Sequence, residues 1–126
     1  MAQQALLAEL HALRDNVTGV LESAIATVDG LLMVADTDGA RPEVVSALAA
    51  ASLGLGKRTG MEVGMGELRE VVIRCRSGYI SIYAVGHLAL LAVLADEGLD
   101  VARLHIESRS TVERIAVLVS EERRSA

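Results

Sequence analysis

The chain has 126 residues and a formal net charge of −5, from 12 basic and 17 acidic side chains. A chain of this length is expected to form one domain, residues 1–126, that buries a core without metals or disulfides. Negative charge and an aromatic content of only 2% disfavour nucleic-acid binding, which needs a basic face and often aromatic stacking platforms.

The first two elements are predicted to be a helix and a β-hairpin. Four apolar residues repeat at helical spacing and predict an amphipathic first helix: Leu6, Leu10, Leu13 and Val17. Further along, Asp29-Gly30 is the strongest hairpin signal, because both residues tolerate the positive φ of tight turns. It joins a strand predicted over Val20–Thr27 to a return strand over Leu31–Ala35.

A second helix is predicted to begin at Pro42, with Glu43 at the positive end of its dipole. Its apolar-to-small stripe consists of Val44, Val45, Leu48, Ser52 and Leu55. The rest of its surface is rich in Ala, Ser and Gly, although each Gly lowers helix stability by about 1 kcal/mol relative to Ala. Such a surface is expected to be covered by something. Gly60, Gly64 and Gly66 are expected to break the helical pattern.

Three strands are predicted between Glu67 and Ala95, joined by turns at Ser77-Gly78 and Gly86-His87. The third, Leu88–Ala95, is apolar on both faces and is therefore predicted to be central, with helices on both sides of the sheet. A last helix is predicted after Asp100, which can cap it. The tail at residues 121–124 is expected to fray.

No residue cluster that usually carries chemistry is present. Cys75 has no partner for a disulfide and is expected to be buried in the core. His11, His87 and His105 lack metal-ligand spacing, and the glycines around Lys57 lack the spacing of a phosphate loop. We therefore predict no catalytic, cofactor or metal site and no enzymatic activity.

The longest apolar run, Leu88–Ala95, is too short to span a bilayer. The amino-terminal residues lack the basic start and apolar run of a secretory segment. The sequence therefore predicts a cytoplasmic protein without membrane insertion.

The order helix, hairpin, helix, three-strand meander, helix resembles the Roadblock/dynein-light-chain family from about Leu6 to Val119. The resemblance is carried by Ala26–Leu31, Gly60–Gly66, Tyr79–Val85 and Gly86–Leu94. It implies a profilin-like α+β fold, αββαβββα, with a five-stranded antiparallel sheet in the order 2-1-5-4-3. The first and last helices would lie on one face of the sheet and the second helix on the other.

The resemblance also implies a homodimer, in which third strands pair edge to edge and second helices pack together. The dimer interface is then predicted at Val44, Leu48, Ser52, Leu55, Arg69, Val71 and Ile73. The sequence agrees with this, because the third strand would otherwise be an exposed edge. The second helix would likewise leave an uncovered apolar patch.

Bacterial members of the MglB type imply a role in signalling: binding a Ras-like small GTPase and biasing its switch loops, with a sensor-kinase-like protein as a further partner. Lys57, Arg58 and Glu62 are the predicted partner contacts. Arg69, Arg74 and Arg76 form a solvated strand face or, alternatively, an interface patch or arginine finger.

Two other functions stay open. The chain could be a non-catalytic scaffold in a signalling complex, which would leave GTP turnover unchanged. It could also be a small-ligand sensory domain. That function needs a pocket with convergent polar groups, and the sequence locates none.

Overall fold

The computed structural model describes residues 2–125. Along that part of the chain the elements are α1 (Ala2–Asn16), β1 (Val20–Thr27), β2 (Leu32–Asp36), α2 (Pro42–Glu62), β3 (Glu70–Cys75), β4 (Gly78–Val85), β5 (Ala89–Asp96) and α3 (Val101–Ser125). The strands form one antiparallel sheet in the order β2-β1-β5-β4-β3. This confirms the fold class and the sheet order that the resemblance implied.

Strand β5 lies at the centre of the sheet and is buried on both faces. Ala89, Leu91 and Val93 pack into a cluster with α1 and α3. Leu90 and Ala92 pack into a separate cluster with α2. The prediction of a central strand covered on both sides is confirmed.

Helices α1 and α3 cover one face of the sheet and pack against each other. Helix α1 buries Leu6, Leu10 and Leu13, three of the four residues whose spacing predicted it. At the rim between the two helices, Nε of Arg114 donates to Oε1 of Glu9 at 2.9 Å. This ion pair is exposed, so burial of the apolar stripes supplies most of the stability of this layer.

Helix α2 alone covers the other face, and small residues let it lie close to the sheet. It buries Ser46, Ala49 and Leu53. A Cβ atom at Gly56 would come within 2.9 Å of Leu68 Cδ2 and 3.0 Å of Val71 Cγ2. Gly56 therefore lies where α2 comes close to Leu68 and Val71, and a larger residue there would make these side chains move.

Several predicted boundaries are wrong. Gly60 does not end α2, which continues to Glu62; a single glycine lowers helix stability by only about 1 kcal/mol and does not by itself stop a helix. Strand β3 begins at Glu70, three residues later than predicted. The turn before β4 lies at residues 76–77, since Gly78 belongs to β4, where a side chain would collide with the carbonyl oxygen of Ala95. The tail expected to fray is helical.

Two glycines of α2 provide a matched test of this packing. A Cβ at Gly54 would meet nothing within 4 Å, so G54A should stabilise the protein by about 0.5–1 kcal/mol through helix propensity. G56A should show no such gain, because Leu68 and Val71 must move to admit the methyl group. Urea denaturation measures both free energies of unfolding, and equal gains in the two variants would contradict the close α2–β3 packing.

Candidate functional site

The two edges of the sheet differ in how they are protected. At the β2 edge, an extra residue, Met33, interrupts the pairing with β1 between Val34 and Leu32. The Met33 carbonyl accepts a hydrogen bond of 3.1 Å from the Gln3 side chain of α1. A short, bulged strand capped by a neighbouring helix is a common way to block further strand pairing.

The β3 edge has no comparable protection. Its pairing with β4 runs without a bulge over six residues, Glu70 to Cys75. Within residues 2–125, no strand pairs with its outer side. A regular, unpaired edge is a template for strand addition.

Beside this edge, α2 exposes an apolar stripe, which we call the outer stripe: Val44, Leu48 and Leu55. The three residues lie at helical spacing on one face, and their exposed fractions are 40%, 63% and 70%. These large aliphatic side chains form an apolar patch on the surface, a feature that is often associated with protein–protein contact.

An apolar trough of about 610 Å³ lies between α2 and β3. Five of the predicted interface residues line it: Ser52, Leu55, Arg69, Val71 and Ile73. Val71 and Ile73 are half-buried against the α2 cluster, and the Ser52 hydroxyl donates to the Leu48 carbonyl at 2.9 Å. The structure thus brings all seven predicted dimer residues to the outer stripe and the adjoining trough.

The predicted partner contacts separate into two groups. Arg58 and Glu62 are exposed and lie three and seven residues after Leu55, so they continue the outer stripe towards the end of α2. Lys57 is half-buried and lies about 200° around the helix axis from Leu55. The structure therefore places Arg58 and Glu62, but not Lys57, on the surface that carries the stripe.

The prediction of a buried Cys75 is wrong, because its thiol-bearing side chain is exposed. By strand alternation Cys75 shares a face with Val71 and Ile73. It is the last residue of an edge strand, however, and lies outside the cluster that α2 covers. The exposure of Arg74 and Arg76 agrees with a solvated strand face.

On the opposite face, a cleft of about 750 Å³ opens between α3 and the segment leading into β3. Tyr83 lies at its floor and is 6% exposed. Burial raises the pKa of Tyr83 above its usual 10.0, and the nearby hydroxyl groups of Ser108 and Ser81 partly offset this effect. The walls carry both signs of charge: Glu67, Arg69, Glu70, Arg109 and Glu113. The sequence did not locate this cleft, and its mixed charges do not select one class of ligand.

No helix among residues 2–125 combines the length and apolar character needed to cross a membrane. The same part of the chain contains no group of three His, Cys, Asp or Glu side chains placed to hold a metal ion.

Comparison with known protein families identifies the family to which this chain belongs. The Roadblock/LC7 domain family matches residues 6–95, well over half of the chain. The chain belongs to the Roadblock/LC7 domain family. The resemblance carried by the hairpin and meander segments is therefore confirmed.

The sequence relatives of this Roadblock/LC7 domain are distant, and solved structures share its fold. An uncharacterized protein of Methanocaldococcus jannaschii is 29% identical over 101 residues, which cover 79% of this chain and 88% of that protein. A Roadblock/LC7 domain from Streptomyces avermitilis is 25% identical with a TM-score of 0.84, covering 90% of this chain and 96% of that one. An MglB structure with a tetrameric arrangement is 13% identical with a TM-score of 0.88, and the match covers 95% of this chain and 91% of that one. The likeness to MglB is one of fold.

One residue that positions the site of this Roadblock/LC7 domain was missed from the sequence. Oε1 of Glu22, on β1, accepts backbone N–H bonds from Asp38, Gly39 and Ala40 at 2.6, 2.9 and 3.1 Å. These bonds fix the loop that leads into α2. They lower the pKa of Glu22 from its usual 4.5, chiefly through the Asp38 N–H, against an opposing effect of burial. Glu22 is 16–18 residues away in sequence from the residues that it contacts, so no local sequence pattern predicts these hydrogen bonds.

The Glu22 contact predicts a pH dependence of stability. Because the folded-state pKa lies below 4.5, the ionised carboxylate contributes fully above about pH 5 and progressively less as the pH falls through its folded value. E22Q should lower the free energy of unfolding by about 1–2 kcal/mol at neutral pH, with a deficit that shrinks under acid conditions. Denaturation at several pH values tests this, with E97Q as an exposed control; a pH-independent deficit would contradict the assignment.

Proposed function

We propose that this Roadblock/LC7 domain is a non-catalytic homodimeric regulator that binds a Ras-like small GTPase and modulates its GTP cycle in bacterial signalling. The observation that carries the proposal is the unprotected β3 edge beside the exposed outer stripe of α2. Together they form a surface that one copy leaves uncovered and a second copy can cover.

The two edges of the sheet support a homodimer. Strand addition is open at β3 and obstructed at β2 by the Met33 bulge and the Gln3 side chain. Pairing of two β3 strands would bring the two α2 helices side by side, because each α2 packs on its own β3. The exposed Leu48 and Leu55 would then lose contact with water, at roughly 25 cal/mol per Å² of apolar surface. The tetrameric arrangement of the MglB structure is consistent with self-association on this fold.

The end of α2 supports a contact with a charged partner. Arg58 and Glu62 extend the outer stripe with two exposed charges, and among the described residues neither makes an ion pair. An apolar centre with a charged rim is the usual composition of a protein interface. Bound there, the domain would act on a GTPase by favouring the hydrolysis-competent arrangement of its switch loops, and it would need no catalytic residue of its own.

The dimer predicts opposite effects for two equally exposed aliphatic residues. Leu48 is 63% exposed on α2 and Ile106 is 64% exposed on α3, across the sheet. L48E should give a folded monomer, because a carboxylate would be buried between the two α2 helices. I106E should remain a dimer. Sedimentation equilibrium with circular dichroism measures both, and a dimeric L48E would show that the interface is assigned to the wrong surface.

Binding of the GTPase predicts a dependence on nucleotide and on Arg58. The tagged dimer should retain a small GTPase from native lysate with a non-hydrolysable GTP analogue and much less with GDP. With that GTPase purified, R58A should weaken binding about tenfold, the loss expected from about 1.4 kcal/mol. R109A, on the opposite face, should bind normally.

A turnover assay with the same purified GTPase then separates regulation from scaffolding. A change in GTP hydrolysis on adding the dimer supports the regulator. Nucleotide-independent retention with unchanged turnover would instead favour a scaffold, and no retained GTPase in either state would remove the proposal.

A further inference from the structure

The charged and apolar residues of β3 are ordered so that two antiparallel copies of the strand would match each other. From Glu70 to Arg74 it has an acid at one end, a base at the other and three β-branched residues between them. Laid antiparallel on a second copy and centred on Val72, the acid of each strand would face the base of the other. This pattern bears on how two copies pair.

The backbone directions at the β3 edge follow from one hydrogen bond. The Ala84 N–H donates to the Arg69 carbonyl at 3.1 Å, and the register pairs Glu70 with Tyr83 beside it. In an antiparallel ladder such bonds fall on alternate residues. Residues 69, 71 and 73 therefore bond to β4, whereas Glu70, Val72 and Arg74 direct their N–H and C=O groups to the free edge.

The side-chain faces restrict the register further. Val71 and Ile73 face α2, so Glu70, Val72 and Arg74 face the side of α1 and α3. A two-fold axis perpendicular to the sheet would keep both α2 helices on the same face. Two residues that face each other across the new strand pair must then have their side chains on the same face of the sheet. Their numbers are therefore both even or both odd, and the two-fold axis passes through one residue of each strand and not between two residues.

We infer that two copies pair through β3 in an antiparallel register centred on Val72. This inference rests on the proposed homodimer and specifies its geometry. Val72 lies opposite Val72 of the partner subunit, and Val71 lies opposite Ile73 of the partner subunit. Glu70 lies opposite Arg74 of the partner subunit, and the two-fold axis produces this ion pair twice.

Neighbouring registers match less well. Centring the pair on Glu70 or on Arg74 places like charges directly opposite each other, which is destabilising. Centring it on Val71 sets Glu70 against Val72, and centring it on Ile73 sets Arg74 against Val72. Only the Val72 register aligns opposite charges within this stretch while keeping all apolar residues together.

The charged side chains are available for this role. Among the described residues, neither Glu70 nor Arg74 makes an ion pair. The Arg74 guanidinium lies 5.7 Å from the ring centroid of Tyr79, its cross-strand neighbour on β4, which restrains the long side chain near the edge. Within residues 2–125, α3 packs on β4 and β5 rather than on β3, and Glu70 lines the cleft that lies between α3 and this end of β3.

Charge reversal tests the register directly. E70R and R74E, each alone, should weaken dimerisation about tenfold or more, because each places like charges opposite each other twice. Mixed in equal amounts, the two variants should form a 1:1 heterodimer, since every position 70 then faces an opposite charge at position 74. The double variant E70R/R74E should dimerise like the natural protein. Native mass spectrometry of mixtures, with one variant mass-tagged, measures all four.

The outcomes separate the register from the dimer itself. If the natural protein is monomeric, the proposed homodimer falls. If it is dimeric and the two variants pair with themselves as readily as with each other, the register is overturned while the homodimer stands.

Disulfide formation gives a second measurement, which tests the register even if the charge variants fold poorly. In a C75S background, V72C should cross-link on mild oxidation, because facing residues in a hydrogen-bonded pair have Cα atoms about 5.5 Å apart. E70C in the same background is the control. The two positions 70 would lie roughly 13 Å apart along the strands, so it should not cross-link. Cross-linking of E70C but not V72C would overturn the register.

Discussion

Burial of β5 on both faces is the constraint on which the rest of this structure depends. A strand apolar on both sides needs a helical layer above and below the sheet. Five strands span about 20 Å, and one helix covers about 10 Å of that width. Two helices share one face, but α2 covers the other alone. The outer stripe and the trough beside it lie on the face that α2 covers alone.

Features that depend on local pattern were predictable from the sequence. The apolar residues of α1 repeat at helical spacing, and those of β5 occupy both alternating sets, so each element and its burial could be inferred from the chain itself. The stripe through Leu48 and Leu55 was predictable for the same reason. The family resemblance, and not periodicity, supplied the order of the strands.

Features that depend on distant parts of the chain were not predictable. Cys75 alternates with buried residues, yet it is exposed because the edge strand extends beyond α2. The three N–H bonds accepted by Glu22 and the bulge at Met33 arise only when segments separated along the chain meet. Within the candidate site, helical geometry also moves Lys57 away from Arg58, although the two are adjacent in sequence.

The bulge at Met33 also limits how large an assembly can grow by strand addition. A sheet with two open edges can add copies at both ends without limit, as fibrils do. Here the β2 edge is obstructed, so a copy joined at β3 offers no second edge for a third. In the proposed homodimer, growth by this route would therefore stop at two copies, and a larger assembly would need a different surface. A bulge of one residue at the far side of the sheet would thus make the proposed strand pairing self-terminating.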